Sequence, residues 1–220
     1  RRFFMIILAL EFSSARRSVA LARDETILGE AVEAGGGRET HAFGLIEKIL
    51  RAAKIEREEI EAIVVGLGPG SYTGIRAAIA IAQGWQLTRD VKLAGISSVE
   101  AMAARAQVEK IFGRVNVAVD AQRNEFYLAT FDISENGWKE IAPLKILPAA
   151  EIQTRAATGE ILAGPEAEKL FPNCQTIFPD AATLAKLAAR KNHPTGEILE
   201  PIYLREVNFV KAPPPRLIPP

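Results

Sequence analysis

Ala62-Ile-Val-Val-Gly-Leu-Gly-Pro-Gly-Ser-Tyr-Thr-Gly-Ile-Arg76, followed at once by Ala77-Ala-Ile-Ala-Ile-Ala-Gln-Gly-Trp-Gln-Leu-Thr88, decides how this chain folds. Ile63, Val64 and Val65 form a β-branched run bounded by glycine, the pattern of a strand buried on both faces. Gly66, Gly68, Gly70 and Gly74 then surround Pro69. Such spacing lets the backbone take positive φ or pass close to a neighbouring segment. Good helix formers follow, and Ser71 or Thr73 is placed to cap the new helix by accepting from its free N–H groups. The unit predicted is strand, turn, helix.

Backbone N–H groups at a helix start attract anions, so one reading of the turn is a phosphate loop. The spelling fits a structural or interface role better. A Walker loop ends in Gly-Lys-Ser/Thr, whereas Gly74 is followed by Ile75-Arg76, and the G-x-G-x-x-G dinucleotide fingerprint is missing. In the helix over Gly74–Thr88, the small residues Ala77, Ala78, Ala80, Ala82 and Gly84 are spread around every face. Ile75, Ile79, Ile81, Trp85 and Leu87 leave almost no polar stripe. A surface helix would carry a wide polar side, so this one is expected to be covered twice, by its own sheet and by a closely packed helix. That second helix belongs either to the same domain or to another protein.

A chain of 220 residues is long enough for one large domain or two smaller lobes with a real core. Hydrophobic residues make up 48% and charged residues 25%, the balance of an ordinary globular protein. Lys plus Arg equals Asp plus Glu at 27 each, so the global positive field of a stand-alone nucleic-acid binder is lacking. Cys174 alone cannot form an intrachain disulfide, and His41 and His193 do not make a zinc set; a cytoplasmic location is expected. Arg1-Arg2, the apolar Phe3–Leu10 and Ser13-Ser14-Ala15 imitate a short secretory signal. Glu11 interrupts that pattern, and a first strand is the better reading. No run approaches the roughly 18 apolar residues of a membrane span.

Taken in order, Met5–Leu10, Ser18–Ala22 and Thr26–Glu33 read as three strands, followed by a Gly35-Gly-Gly37 loop and a helix over Thr40–Ala53. The apolar face of that helix is expected to carry Phe43, Ile46, Ile49, Leu50 and Ala53, with Leu45 to the side. After the central strand and helix come a strand over Val91–Gly95 and a helix to Gln107 capped by Ser97 or Ser98. Val115–Val119, Glu125–Asp132 and Trp138–Leu147 read as three more strands. Then follow a helix over Ala149–Ala156, a strand over Glu160–Ala163, a short helix over Glu166–Phe171 and an amphipathic helix over Ala181–Lys191. The order βββαβα occurs twice, which predicts an α/β protein of two lobes, residues 1–107 and 108–220. This is the architecture shared by actin, sugar kinases and the Hsp70 ATPase (the ASKHA fold). Pro201–Arg205 is expected to be ordered, and the proline-rich tail from Ala212 extended and solvated.

Gly66–Arg76 together with Ala82-Gln-Gly84 resembles the signature of the TsaB family, also called YeaZ, the non-catalytic dimerisation partner in bacterial tRNA threonylcarbamoyladenosine synthesis. Ile7–Ser14 is similar to the opening strand and turn of that family, with Glu11 in place of its aspartate. Arg38–His41 is similar to its Arg-Glu-His segment with one residue inserted, and Ile96–Val99, Asp120–Tyr127 and Pro201–Arg205 match in order. The likeness is weakest over residues 142–195. The resemblance implies a scaffold that pairs with TsaD, or with itself, through the first two helices of the amino-terminal lobe. TsaD then transfers the threonylcarbamoyl group to N6 of adenosine 37 in tRNA, with TsaE and ATP supporting turnover. No cofactor of the chain's own, no membrane contact and tRNA contact only through the complex are implied. The residues expected at the partner interface are His41, Phe43, Leu45, Gly70, Tyr72, Thr73, Gly74, Arg76, Ala78 and Ala82.

The alternative is a small ATP-dependent phosphotransferase. In nucleotide-binding members of this fold an acid sits in the first hairpin of each lobe, here Glu11 and Asp120, and two carboxylates facing one cleft hold Mg²⁺ through water. The turns beside them lack repeated glycines, so the pair reads as a vestigial site or as acids satisfied by local N–H groups and arginines. TsaD carries two metal-binding histidines on its first helix; here His41 has Leu45 four residues on. A peptidase reading fails for want of a His-Glu-x-x-His motif.

Overall fold

The computed structural model describes residues 5–34, 41–166, 171, 174–191 and 198–205. The Gly35–Gly37 loop, Arg38–Thr40, most of the short helix expected over 166–171, His193 and the proline-rich tail lie outside the described residues. No described helix is long and apolar enough to cross a membrane.

The first half comprises β1 (Ile6–Glu11), β2 (Arg16–Arg23), β3 (Thr26–Ala34), α1 (Ala42–Ala53), β4 (Ala62–Gly66), α2 (Tyr72–Thr88), β5 (Lys92–Ile96) and α3 (Ser98–Val108). The second comprises β6 (Gly113–Asp120), β7 (Glu125–Ser134), β8 (Gly137–Pro148), α4 (Ala149–Ala157), β9 (Ile161–Gly164), β10 (Gln175–Thr176) and α5 (Ala181–Lys191). Two five-stranded sheets result, ordered β3-β2-β1-β4-β5 and β10-β9-β6-β7-β8. Read from the other edge, the second order becomes β8-β7-β6-β9-β10, strand for strand the plan of the first. The directions repeat as well: β1–β2 and β6–β7 are antiparallel, while β1–β4 and β6–β9 are parallel. The duplication expected from element order is therefore present in the hydrogen-bonded pairing, and the chain has the two-lobed α/β fold of the actin-like ATPases.

Sheet one is buried on both faces because its strands alternate two apolar sets. Ile6, Leu8 and Leu10 of β1 join Ile63 and Val65 of β4 against α1 and α2. Ile7 and Ala9 join Val64 and Ala94 on the opposite face, which is covered by α5 and by Ala101 and Ala104 of α3. Val99, Met102, Ala103 and Ala106 of the same α3 pack on the second sheet. Helix α3 is thus wedged between the lobes, which explains its run of alanines: bulk on either side would hold the sheets apart. Helix α5 comes from the second half of the sequence, yet it roofs the first sheet. Asp180 caps it by accepting from Thr183 N–H at 2.7 Å, and the buried Ser18 hydroxyl of β2 accepts from Ala181 N–H at 2.8 Å.

Candidate functional site

The Gly-Pro-Gly turn is held by a buried polar hub. Glu11, at the end of β1, is fully buried. One carboxylate oxygen accepts from Ser13 N–H at 2.7 Å and the other from the Ser98 hydroxyl at 2.8 Å. Ser98 Oγ in turn accepts from Gly68 N–H at 3.1 Å, and Ser98 N–H donates to Gly68 O at 2.8 Å. Burial pushes the Glu11 carboxyl above its ordinary value, and the donors from Ser13 and Ser98 offset part of that rise. Space for the carboxylate exists because Gly66 has no Cβ; a methyl group there would collide with the Glu11 carboxyl. Of the two proposed caps Ser71 serves, accepting from Gly74 N–H at 3.3 Å, and α2 begins at Tyr72. Gly70, at φ +147°, and Gly74 lie directly against the backbone carbonyls of Ser13 and Phe12, and Ser71 N–H donates to Ser13 O at 2.7 Å. The amides of Gly68, Ser71 and Gly74 are therefore occupied by protein acceptors, which suits a structural turn rather than a phosphate loop.

A cleft of about 460 Å³ lies between Ser13–Ala15 and Gly70–Tyr72 on one side and Ala118–Gln122, Phe126 and Tyr127 on the other. Asp120 lines it; its carboxylate accepts from Gln122 N–H and Nε2 at 2.7 and 3.0 Å. Glu11 does not face this space, so the expected pair of facing carboxylates is not formed: the longer acid turns inward under Gly66 and is consumed by the hub. Among the described lining residues the charged ones are Asp120 and Glu166, both acids, and a phosphate entering there would meet like charge. Among the described residues no group of three or more His, Cys, Asp or Glu is placed to hold a metal ion.

The outer face of the first lobe differs in kind. Helix α2 turns Ile75, Ala78, Ile79 and Ala82 inward, spaced i, i+3, i+4 and i+7, onto its own sheet. Ala78 and Ala82, expected at a partner interface, are each 0% exposed, and Gly74 is buried against Phe12. Their smallness serves close approach of helix to sheet within the chain. The opposite stripe, carrying Tyr72, Thr73, Arg76, Ala80, Gln83, Gly84 and Leu87, is open to solvent. Phe43 of α1, expected on the buried stripe as well as at the interface, is 63% exposed, while Ala42, Ile46, Ile49 and Leu50 face the core. His41 is exposed at the start of α1, where its side chain makes no capping bond, and Leu45 is partly buried against the first core. Between the two helices runs a groove of about 670 Å³ whose floor and walls include Phe43, Ile46, Ala80, Ile81, Gly84 and Trp85. Arg57, Glu58 and Arg89 stand at its edge, with Arg89 Nη1 3.1 Å from Glu58 Oε1. Ala80, Gly84, Ile81 and Trp85, which line this groove, are not among the residues expected from the sequence. A helical projection carries the signal, because Ala80, Gly84 and Leu87 fall opposite Ile75, Ala78 and Ala82.

The family model of TsaD, tRNA N6-adenosine threonylcarbamoyltransferase, matches residues 39–200. The tRNA threonylcarbamoyladenosine biosynthesis protein TsaB of Escherichia coli is 28% identical over 91% of this chain and 95% of its own length. TsaB of Buchnera aphidicola subsp. Schizaphis graminum is 30% identical over 79% of this chain and 91% of its own. The chain belongs to the TsaB (YeaZ) family. In fold, the solved structure of YeaZ from Pseudomonas aeruginosa matches with a TM-score of 0.74 and 24% identity, covering 91% of this chain and 100% of that one. Within the TsaB-family chain, five of the expected interface residues, His41, Phe43, Tyr72, Thr73 and Arg76, are exposed on or beside α1 and α2. Gly74, Ala78 and Ala82 are internal, and Gly70 lies in the turn, packed against the Ser13 carbonyl.

Proposed function

We propose that this chain acts in tRNA threonylcarbamoyladenosine biosynthesis as a non-catalytic subunit that docks a TsaD-type transferase on the outer face of α1 and α2. The observation that carries this reading is the open apolar groove, with Phe43 63% and Leu87 88% exposed beside it. Large apolar groups gathered in one concave stripe favour burial against a complementary helical surface. A second copy of this chain takes the same face when the transferase is absent. The chemistry belongs to the partner: the one buried acid of the β1 turn is occupied by Ser13 and Ser98, and the cleft lining is acidic. ATP and Mg²⁺ are used by the assembled complex with a TsaE-like ATPase, and tRNA meets this chain only in that complex. Co-purification with a TsaD-type protein tests the reading. A 1:1 complex that survives size-exclusion chromatography is expected, whereas a chain that stays apart from the transferase, and instead binds ATP·Mg²⁺ by calorimetry, would overturn it in favour of a phosphotransferase.

A further inference from the structure

We propose that residues Leu199–Arg205 form a brace that ties the two lobes together across the cleft and sets its opening. At one end Leu199 is buried in the core of the first lobe, and Ile202 N–H donates to Leu67 O of the glycine turn at 2.9 Å. At the other end the Arg205 guanidinium lies on the β6–β7 hairpin of the second lobe. Its Nη2 is 2.9 Å from Ala121 O, 2.7 Å from Glu125 Oε2 and 3.4 Å from Gln122 O. Between these anchors Tyr203 packs on Tyr72, the first residue of α2, with ring centroids 5.1 Å apart, and both tyrosines line the cleft. Tyr72 is fixed from its own helix by Arg76, whose Nη1 donates to the Tyr72 hydroxyl at 2.7 Å.

The hairpin held by Arg205 is itself unusual. Gln122, Arg123 and Asn124 have φ of 63°, 57° and 60°, three successive non-glycine residues in the left-handed region. Such backbone is disfavoured at each position and persists where neighbouring groups over-determine it. Arg205 supplies part of that constraint, since a charged donor shared between carbonyls and a carboxylate binds more strongly than a neutral one. All three contacts come from the one nitrogen Nη2, which the planar guanidinium holds in a fixed direction, whereas a lysine ammonium ends a shorter, flexible stem. Helix α3 packs the joint between the sheets, and the brace closes the cleft side. Release of Arg205 therefore frees the hairpin and, through Tyr203, the first turn of α2. This property belongs to the isolated chain, so it stands or falls separately from the docking reading.

Hydrogen exchange of the full chain, wild type against Arg205→Ala and Arg205→Lys, tests the brace. In Arg205→Ala, exchange at the Ala121, Glu125 and Ile202 amides and in the first turn of α2 rises about tenfold, as expected for loss of a local, partly exposed constraint. Amides of β1, of β4 and of β7 beyond its first residue, Glu125, keep their protection. Arg205→Lys gives an intermediate increase at the same amides. Acceleration confined to residues 202–205, or no acceleration, would show a terminal segment that merely lies on the surface and would overturn the proposal. Uniform acceleration that includes β1, β4 and the interior of β7 would also overturn it, because the segment would then be part of the global core.

Discussion

Replacing Gly84 by arginine separates a docking helix from an ordinary one. Gly84 sits on the open stripe of α2, and a Cβ added there meets nothing within 4 Å, so the isolated chain accommodates the change. Exchanging glycine for a good helix former within a helix gains about 0.5–1 kcal/mol. For a domain of this size that corresponds to a rise in Tm of roughly 1–4 °C. In a complex the outcome reverses. The guanidinium would stand in the groove against Phe43, Ile81 and Trp85, and an uncompensated charge in a dry interface costs about 3–5 kcal/mol. The dissociation constant, by calorimetry with a TsaD-type transferase or by sedimentation of the homodimer, is expected to rise on the order of a hundredfold or more. Ala82→Arg, two residues earlier but fully buried, should instead destabilise the fold by more than about 3 kcal/mol. A Gly84→Arg protein with raised Tm and unchanged affinity would refute the assignment of this face.

Two further outcomes concern the hub. Burial raises the Glu11 carboxyl above its ordinary value of 4.5, so above that pH the native state holds a proton that the unfolded chain has lost. Glu11 therefore contributes a loss of stability as pH rises from about 4.5 to its raised pKa, and none beyond. Urea midpoints across pH 4.5–8 should fall less in Glu11→Gln than in the wild type, and parallel curves would contradict the burial of an ionisable group there. Gly66→Ala should cost about 1–3 kcal/mol by overpacking, because both oxygens of the neighbouring carboxylate are held. In a Glu11→Ala background the same change should cost at least about 1 kcal/mol less, and strict additivity in the cycle would rule out the collision.

Much of the first sheet was legible because its information is local: alternation in β1 and β4 writes both covered faces into consecutive residues. Ser71 as a cap and the strand–turn–helix unit follow from neighbouring letters in the same way. The fate of Glu11 does not, since it depends on Gly66 and Ser98, 55 and 87 positions away, which make its space and supply its donor. The alanines of α2 suggested close packing correctly, but smallness carries no direction. Ala78 and Ala82 face the sheet, and the small residues open to solvent are Ala80 and Gly84. Phe43 shares a helical spacing with Ile46 and Leu50 yet sits at the rim, because the buried stripe is centred on Ala42, Ile46, Ile49 and Leu50 and at 100° per residue Phe43 falls at its edge. Pro201–Arg205 was recognisable as ordered from its two large apolar side chains. That Arg205 is the far anchor was not, because its acceptors, two backbone carbonyls and the Glu125 carboxylate, lie in a hairpin some 80 residues away, and nothing in the intervening sequence pairs that one acid with this arginine.

The most direct measurement is reconstitution of threonylcarbamoyladenosine on tRNA, with the transferase, the ATPase and this chain added singly and together, and with Gly84→Arg replacing the wild-type chain. Modified nucleoside should form only when the transferase and a docking-competent copy of this chain are both present, and Gly84→Arg should reduce it in proportion to the lost complex. Product from this chain without the transferase, or full turnover with Gly84→Arg at concentrations where no complex forms, would contradict a non-catalytic docking subunit.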